Sequence, residues 1–451
     1  MTPPDYNHLF RNSRIKNNFD MKIAIIGGTG YVGLCTGLGF AVKGHHVICV
    51  GRNKEKIEKL KSGKSIIYEP LVGTYLATVL EKKNFEPTTD MDYAIKNSDV
   101  IFISVGTPSK ADGSIDTGDI EAVSMEIGRL MASRDSYFVV VVKSTVVPET
   151  TEKVVIPELE KLSSKKAGEG FGVCMNPEFL REGKALDDFL NPDRIVIGEL
   201  DKKSGDIVQD LYKNFDSPII RTNLKTAEMI KYASNAFLAT KISFANEVGN
   251  ICKILGIDSY EVMNGVGLDK RIGRHFLDSG IGWGGSCFPK DIAAIIAKAK
   301  EMAYNPEILD TITKTNDQQP LKLVEILQGR LHYLRGKRIA VLGLAFKADT
   351  DDIRDTKSAP VIEKLLELGA EVVAYDPKAI QNFRVMFPKI NYAESCKAAL
   401  EGADACLILT DWQEFRKLEN NDFDLMKNRV IVEGRRVLDK KNVSGFEGIC
   451  W

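Results

Sequence analysis

Short runs of β-branched residues alternate with helix-forming stretches through most of this chain, and that alternation restricts it to parallel, doubly wound α/β sheets. The first run, KIAIIG from Lys22, leads into the turn GGTGYVG and then into GLCTGLGFAVKG, a helix ending at Gly44. HHVICV supplies the next strand, followed by DVIFISVG (99–106), SYFVVVVKST (136–145), FGVCMNP (171–177) and RIVIG (194–198). A second series begins at KRIAVLGLAF (337–346) and continues through EVVAYDP (371–377), DACLILT (404–410) and RVIVEGR (429–435). Between the two series, residues 223–255 read as one helix roughly 45 Å long. Its apolar positions Met229, Ile230, Ala233, Ala236, Phe237 and Ile242 recur at three- and four-residue spacing. A helix of that length suits a spine between domains or a subunit interface. A charged helical segment (306–334) leads into the second series. The expected plan is a polar tail over 1–20, a dinucleotide-binding domain over 21–222, a central helical domain over 223–320 and a second Rossmann-like domain over 321–451.

Composition narrows the function class. Apolar residues make up 44% of the 451 and charged residues 27%, with a formal net charge of −1, the balance of a globular protein. Such a balance predicts no nucleic-acid partner and no membrane surface. No apolar run is long enough to span a bilayer, and the first 20 residues lack the apolar core of a secretory signal. The eight cysteines form no CxxC pair and sit mostly in apolar runs, the usage of reduced, buried thiols in a cytoplasmic protein. The five histidines show no ligand spacing, so no metal is expected.

Gly28, Gly30 and Gly33, with Thr29, Tyr31 and Val32 between them, form G-x-G-x-x-G between a strand and a helix. That pattern allows a tight turn, backbone approach to a pyrophosphate, and charge binding by the N–H groups at the helix start. A glycine-rich packing turn is the plainer alternative. The segment GIGWGGSCFPKDIAAIIAKAKEM (280–302) is more informative. Pro289 suits the first turn of a helix whose apolar stripe is Ile292, Ile295, Ile296 and Ala299. Cys287 then lies just before a helix N-terminus with Lys290 nearby, and both features favour a thiolate. The glycines ahead of it, Gly284 among them, let a bulky polar ligand lie against the backbone. Asp291, in the first turn, is placed to exchange protons through a water. Lys231 and Asn235 share a face of the long helix and form a pair able to stabilise an oxyanion. A solvated helix face is the plainer reading of that pair, as a surface position is of Glu178 and Glu182 in NPEFLREG. Thr145 closes KST at the end of an apolar strand, a common ligand position in such sheets.

Taken together, GTGYVG (28–33), YEP (68–70), VGTP (105–108), KST (143–145), NPEFLREG (176–183), NPDRIVIG (191–198), KYASNAF (231–237), RIG (271–273), GWGGSCFPKD (282–291), LGLAFKADTDDIRDT (342–356) and EGRRVLD (433–439) resemble the UDP-glucose/GDP-mannose dehydrogenase family in its own order. The FPKD ending resembles the UDP-glucose branch more than the N-acetylhexosamine branches. The resemblance implies an N-terminal NAD domain, a central helical dimerisation domain, a C-terminal UDP-binding domain and a homodimer or higher homo-oligomer. It makes Cys287 the nucleophile, with Lys231 and Asn235 holding the sugar and stabilising oxyanions. Asp291 and Thr145 handle a catalytic water, and Glu178 is tied to thioester hydrolysis. Thr107, Thr145, Glu182, Lys290 and Arg354 fall on the cofactor side. Phe179, Leu180, Phe276, Gly284, Lys347 and Arg435 fall on the UDP-sugar side, and Arg271 reaches UDP bound by the neighbouring subunit.

The implied reaction is a four-electron oxidation of the C6 hydroxyl of UDP-glucose to UDP-glucuronate with NAD. A cysteine serves it by capturing the aldehyde as a thiohemiacetal, which is oxidised to a thioester and then hydrolysed. The alternatives are the same chemistry on GDP-mannose or a UDP-N-acetylhexosamine, and a non-catalytic dinucleotide-binding redox sensor built around Cys287. One local departure bears on the cofactor. The NAD fingerprint calls for an acid at the end of the second strand, where this chain has Gly51, Arg52 and Asn53. Either NAD binds there with help from Asn53 or backbone groups, or Arg52 suits the 2′-phosphate of NADP. Gly27 is one glycine more than the family carries before its phosphate turn. Leu71 follows YEP where the family has glycine.

Overall fold

The computed structural model describes residues 21–451, and the tail expected over 1–20 lies outside them. Chain contacts divide the protein into two units: residues up to Thr107 together with Thr117–Glu228, and Pro108–Asp116 together with Met229–Trp451.

The first unit is built on β1 (Lys22–Ile26), β2 (His46–Val50), β3 (Phe85–Thr88), β4 (Val100–Ile103), β5 (Val139–Val142), β6 (Gly172–Met175), β7 (Ile195–Glu199) and β8 (Ile219–Asn223). Their order across the sheet is β3-β2-β1-β4-β5-β6-β7-β8. β4, β5 and β6 are buried along their whole length, which is why their sequences read as unbroken apolar runs and do not alternate. Helices α1 (Tyr31–Val42), α2 (Lys54–Lys61) and α3 (Gly118–Met131) belong to this unit. Ile26 lies beside both Val50 and Ile103, Ile103 beside Val142, and Val142 beside Met175. That register brings the loops after β1, β4, β5 and β6 out at one edge, where the strand order reverses between β1 and β4. Ligands of open α/β sheets bind at such an edge. The expectation of a wholly parallel sheet needs one correction. β7 runs antiparallel to β6, with Cys174 and Met175 set against Glu199 and Gly198. The connection from β6 returns from the same end of the sheet, and so needs no crossover.

In the second unit β9 (Arg338–Leu342), β10 (Glu371–Tyr375), β11 (Asn391–Tyr392), β12 (Ala405–Ile408), β13 (Ile431–Glu433) and β14 (Phe446–Gly448) form a parallel sheet ordered β11-β10-β9-β12-β13-β14. Again the order reverses, between β9 and β12. The loops carrying Lys347 and Arg435 leave the C-terminal ends of β9 and β13.

The expected long helix is present as α4 (Leu224–Leu255), 32 residues in one piece. Which side it buries differs from the sequence expectation. Lys231 and Asn235, read as a solvated pair, are 3% and 6% exposed, whereas Met229 and Phe237 are 43% and 65% exposed. Ala236 is buried as its spacing suggested, and the buried face otherwise carries Tyr232, Ala239, Ser243, Ala245 and Asn246. Phe237, Phe244 and Ile251, all exposed and seven residues apart, line one side of α4. Near its start, Glu228 is fully buried and accepts hydrogen bonds from Glu149 N, Thr151 N and Thr151 Oγ1 at 2.7–2.9 Å. Burial pushes its carboxyl up to about 7. Following α5 (Phe288–Glu301), the charged segment over 306–334 is two helices, α6 (Glu307–Gln318) and α7 (Leu321–Leu331). The break falls at Pro320, whose missing N–H cannot continue the ladder. Among the described residues no helix is long and apolar enough to cross a membrane.

Candidate functional site

At the edge of the first sheet, the glycine turn is shaped by close backbone approach. Gly27 has φ +86°, and its carbonyl oxygen accepts from Gly30 N at 2.9 Å. A Cβ on Gly33 would stand 2.4 Å from that same oxygen, so only glycine lets α1 start directly on the turn. The additional Gly27 is therefore a working part of the bend. Helix α1 begins at Tyr31 without a side-chain cap and without an acid in its first turn. Its first N–H groups are left for an anion, the fit a dinucleotide pyrophosphate requires. Thr29 and Val32 are half-buried beside the turn.

Tyr31 has a further role that sequence reasoning missed. Its hydroxyl donates to Glu69, and the Glu69 carboxylate also accepts from Gly183 N and Ala185 N, each at 2.7 Å. One buried carboxylate thus ties the start of α1 to the end of the NPEFLREG loop. YEP was the visible signal, but nothing in it named a partner. Leu71, two residues on, holds φ +67°, a left-handed backbone that favours glycine.

Thr107 Oγ1 donates to the Thr145 carbonyl at 2.8 Å, joining the loops after β4 and β5. Glu178 is not the surface acid its loop position suggested, being 6% exposed and accepting from Leu180 N at 2.6 Å. Glu182 is half-buried, and the Phe179 ring lies 3.9 Å beneath the Arg194 guanidinium. Arg52 is exposed and pairs with Asp119 at 3.2 Å. Asn53 is not available to a ribose through its carbonyl oxygen, because Oδ1 caps α2 by accepting from Lys56 N at 3.0 Å.

In the second unit the loop 280–287 is held almost atom by atom. Gly280 N donates to Asn246 Oδ1, Gly280 O accepts from Gln319 Nε2, and Ile281 N donates to Gly434 O. Asn316 grips Trp283 through both its backbone N–H and its carbonyl, at 2.7 and 3.0 Å. The Trp283 indole donates to Ser243 at 2.9 Å. A Cβ on Gly284 would stand 2.2 Å from the Asp355 carbonyl oxygen, so this loop lies flat on the 354–355 backbone. Gly285 N donates to Arg354 O there.

The loop delivers Cys287 to the N-cap position of α5, with Pro289 in the first turn. It is half-buried, whereas the other seven cysteines are buried. Burial pushes Cys49 and Cys174 up to about 12 and Cys450 up to about 11. It also raises Cys35, Cys396 and Cys406. Burial of this kind disfavours a thiolate, and Cys287 is the one cysteine that is not buried.

Beside it, Asp291 is 2% exposed and accepts from Asn235 Nδ2 and from Lys290 Nζ, each at 2.6 Å. The sequence placed Lys290 as a charge beside the cysteine. In the structure its ammonium is committed to Asp291. Lys231 is buried one turn before Asn235 on α4. Arg435 donates to Gly282 O at 2.7 Å, and the Lys347 ammonium lies 5.2 Å from the Phe346 ring centroid. Arg354 forks onto Asp352 at 2.6–3.0 Å. Phe276 has φ +64° and is 37% exposed. Arg271 stands in solvent, paired with Asp269. Thus Lys231, Asn235, Cys287, Lys290 and Asp291 share one unit with Arg271, Phe276, Gly284, Lys347, Arg354 and Arg435. Thr145, Glu178 and the glycine turn belong to the other.

A dinucleotide turn on one doubly wound sheet, and a second such sheet whose unit presents an accessible cysteine beside buried acid, amide and ammonium groups, define a nucleotide-dependent oxidoreductase. Comparison with known proteins gives the family. Residues 21–216 match the NAD binding domain of the UDP-glucose/GDP-mannose dehydrogenase family, 225–318 its central domain and 340–440 its UDP binding domain. The chain belongs to this family. It is 45% identical to the UDP-glucose 6-dehydrogenase AglM of Haloferax volcanii, over 95% of this chain and all of that one. It is 44% identical to the UDP-glucose 6-dehydrogenase TuaD of Bacillus subtilis, over 94% of this chain and 92% of that one. The solved structure of a UDP-glucose dehydrogenase from Pyrobaculum islandicum superposes with a TM-score of 0.91 at 39% identity, covering 97% and 99% of the two chains. A UDP-D-ManNAc dehydrogenase from Pyrococcus horikoshii gives 0.83 at 30% identity, covering 95% and 99%.

Proposed function

We propose that the protein is a cytoplasmic, NAD-dependent dehydrogenase that oxidises C6 of UDP-glucose to the carboxylate of UDP-glucuronate, with Cys287 as covalent nucleophile. The observation that carries this reading is the half-buried Cys287 at the N-terminus of α5, one helical turn from an Asp291 already bonded to Asn235 and Lys290. Identity supports the sugar: it is 45% and 44% to UDP-glucose 6-dehydrogenases and 30% to the UDP-D-ManNAc dehydrogenase.

When bound, NAD would supply the acceptor for the hydride lost at each of the two oxidation stages. The chain's own residues do the rest. The glycine turn over 28–33 and the loops with Thr107, Thr145 and Glu182 hold the dinucleotide. Phe276, Gly284, Lys347 and Arg435 hold the nucleotide sugar. Lys231 and Asn235 place positive charge and a donor where oxygen becomes negative. Cys287 sulfur adds to the C6 aldehyde, and the resulting thiohemiacetal passes through the second oxidation to a thioester. Water, oriented by Asp291, adds to the thioester. The sulfur then leaves, and the water oxygen becomes the second carboxylate oxygen. Residues 21–222, 223–320 and 321–451 are read as NAD, dimerisation and UDP domains.

The purified enzyme should form two NADH per UDP-glucose consumed, and should turn over GDP-mannose and UDP-N-acetylhexosamines far more slowly. A single NADH per sugar would sink the covalent route. A higher kcat/KM on another nucleotide sugar would move the substrate. The exposed row Phe237, Phe244 and Ile251 favours a homodimer along α4, with Arg271 reaching the neighbouring subunit's nucleotide. Phe244→Glu should convert the protein to a monomer in sedimentation velocity and cost about tenfold or more in kcat/KM. An unchanged sedimentation coefficient would place the interface elsewhere.

A further inference from the structure

We infer that the dinucleotide site of this chain takes the 2′-phosphorylated cofactor as well as NAD, and that Arg52 and Asp119 together set the preference. This rests on the NAD reading above and refines it at the adenosine ribose.

In a βαβ dinucleotide site the carboxylate that ends the second strand binds the ribose hydroxyls, and its charge repels a 2′-phosphate. Here β2 ends at Val50, whose carbonyl accepts from Gly28 N at 2.8 Å. The next residue, Gly51, therefore stands at the phosphate turn with no side chain. A Cβ there would lie 2.3 Å from the Thr29 methyl, so Thr29 occupies part of the space an acid would cross. Neighbouring carboxylates are engaged elsewhere: Asp90 accepts from Tyr93 N at 2.9 Å, and Glu55 pairs with Lys59 at 2.8 Å. With Asn53 Oδ1 capping α2, the group on offer at this corner is the Arg52 guanidinium. It is 75% exposed and held by Asp119, itself half-exposed on the first turn of α3.

So exposed an ion pair is easily surrendered, and a dianionic phosphate competes well for a guanidinium through charge-assisted hydrogen bonds. Asp119 then works in the opposite sense. It neutralises Arg52 when NAD is bound and puts a negative charge near an incoming phosphate. The corner accepts either cofactor, and Asp119 tempers the gain that a 2′-phosphate draws from Arg52.

Gly51→Asp is a poor test, because Thr29 must turn aside first. The better probes are adenosine 5′-monophosphate and adenosine 2′,5′-bisphosphate, titrated calorimetrically into the full-length protein, Arg52→Ala and Asp119→Asn. The two ligands differ only at the 2′ position. The native protein should bind the bisphosphate about tenfold or more tightly than the monophosphate. Arg52→Ala should bring that ratio close to one, and Asp119→Asn should raise it severalfold. The ratio of kcat/KM for NADP to that for NAD should move in the same directions. A native protein that binds the monophosphate as tightly as the bisphosphate overturns the inference, as does a ratio unmoved by Arg52→Ala. If neither NAD nor the monophosphate binds at all, it is the NAD reading that fails.

Discussion

Cys287→Ser should lower steady-state turnover of UDP-glucose by about a thousandfold or more while leaving nucleotide-sugar binding in place. The hydroxyl at this position is a far weaker nucleophile than a thiol at a helix N-terminus. Where it does react, an oxygen ester replaces the thioester and hydrolyses more slowly. Intact-mass spectrometry of the variant after incubation with substrate and NAD should then reveal a covalent sugar-nucleotide adduct, or else no product. Calorimetry with UDP-glucose distinguishes lost chemistry from a lost site. Turnover near the native rate would end the case for covalent catalysis, and with it the main support for the proposed reaction.

Asn235→Asp should be nearly as damaging, for an electrostatic reason. The amide nitrogen of Asn235 donates to Asp291 at 2.6 Å inside the protein. Replacing it with a carboxylate sets two acids in contact where only one can ionise without severe repulsion. At pH 8 the variant should lose about 3 kcal/mol of stability or more, the cost of an uncompensated buried charge, and its kcat should fall at least a hundredfold. The sign of the pH dependence follows from the raised carboxyl in the folded state. The stability at stake is fully present only below the unfolded-state carboxyl value of about 4, falls as pH rises towards the raised folded-state value, and is gone above it. The gap in melting temperature to the native protein should therefore be smaller at pH 5 than at pH 8. An Asn235→Asp enzyme as stable as the native one at both pH values would mean that the contact with Asp291 carries little.

How much of this site was legible beforehand depended on the range of the interactions involved. Cys287 could be found because its setting is local: glycines before it, Pro289 and a periodic apolar stripe after it. Asp291 followed from its place in the same first turn. Its partner Asn235 did not, since the two meet across 56 residues of sequence and the helical period alone cannot say which face turns inward. Apolar spacing on α4 pointed to Met229 and Phe237. The protein instead buries Lys231 and Asn235, and it leaves the phenylalanines at the surface. Asn246, Asn316 and Gln319, which hold the glycine loop by its backbone, carry no signal beyond being polar.

By itself the sequence determined the two doubly wound sheets, the glycine turn, the 32-residue helix and the cysteine at a helix start. Strands buried on both faces need contiguous β-branched runs, turns without side chains need glycine, and a helix is started by proline and carried by its own backbone. Tertiary structure alone decided that β7 reverses against β6, that Glu69 ties Tyr31 to the NPEFLREG loop, that Lys290 spends its charge on Asp291, and that Arg52 meets Asp119. Apart from the adjacent Lys290 and Asp291, each of these joins groups well separated in the chain, and which polar groups satisfy one another is settled only when packing has excluded water from the alternatives.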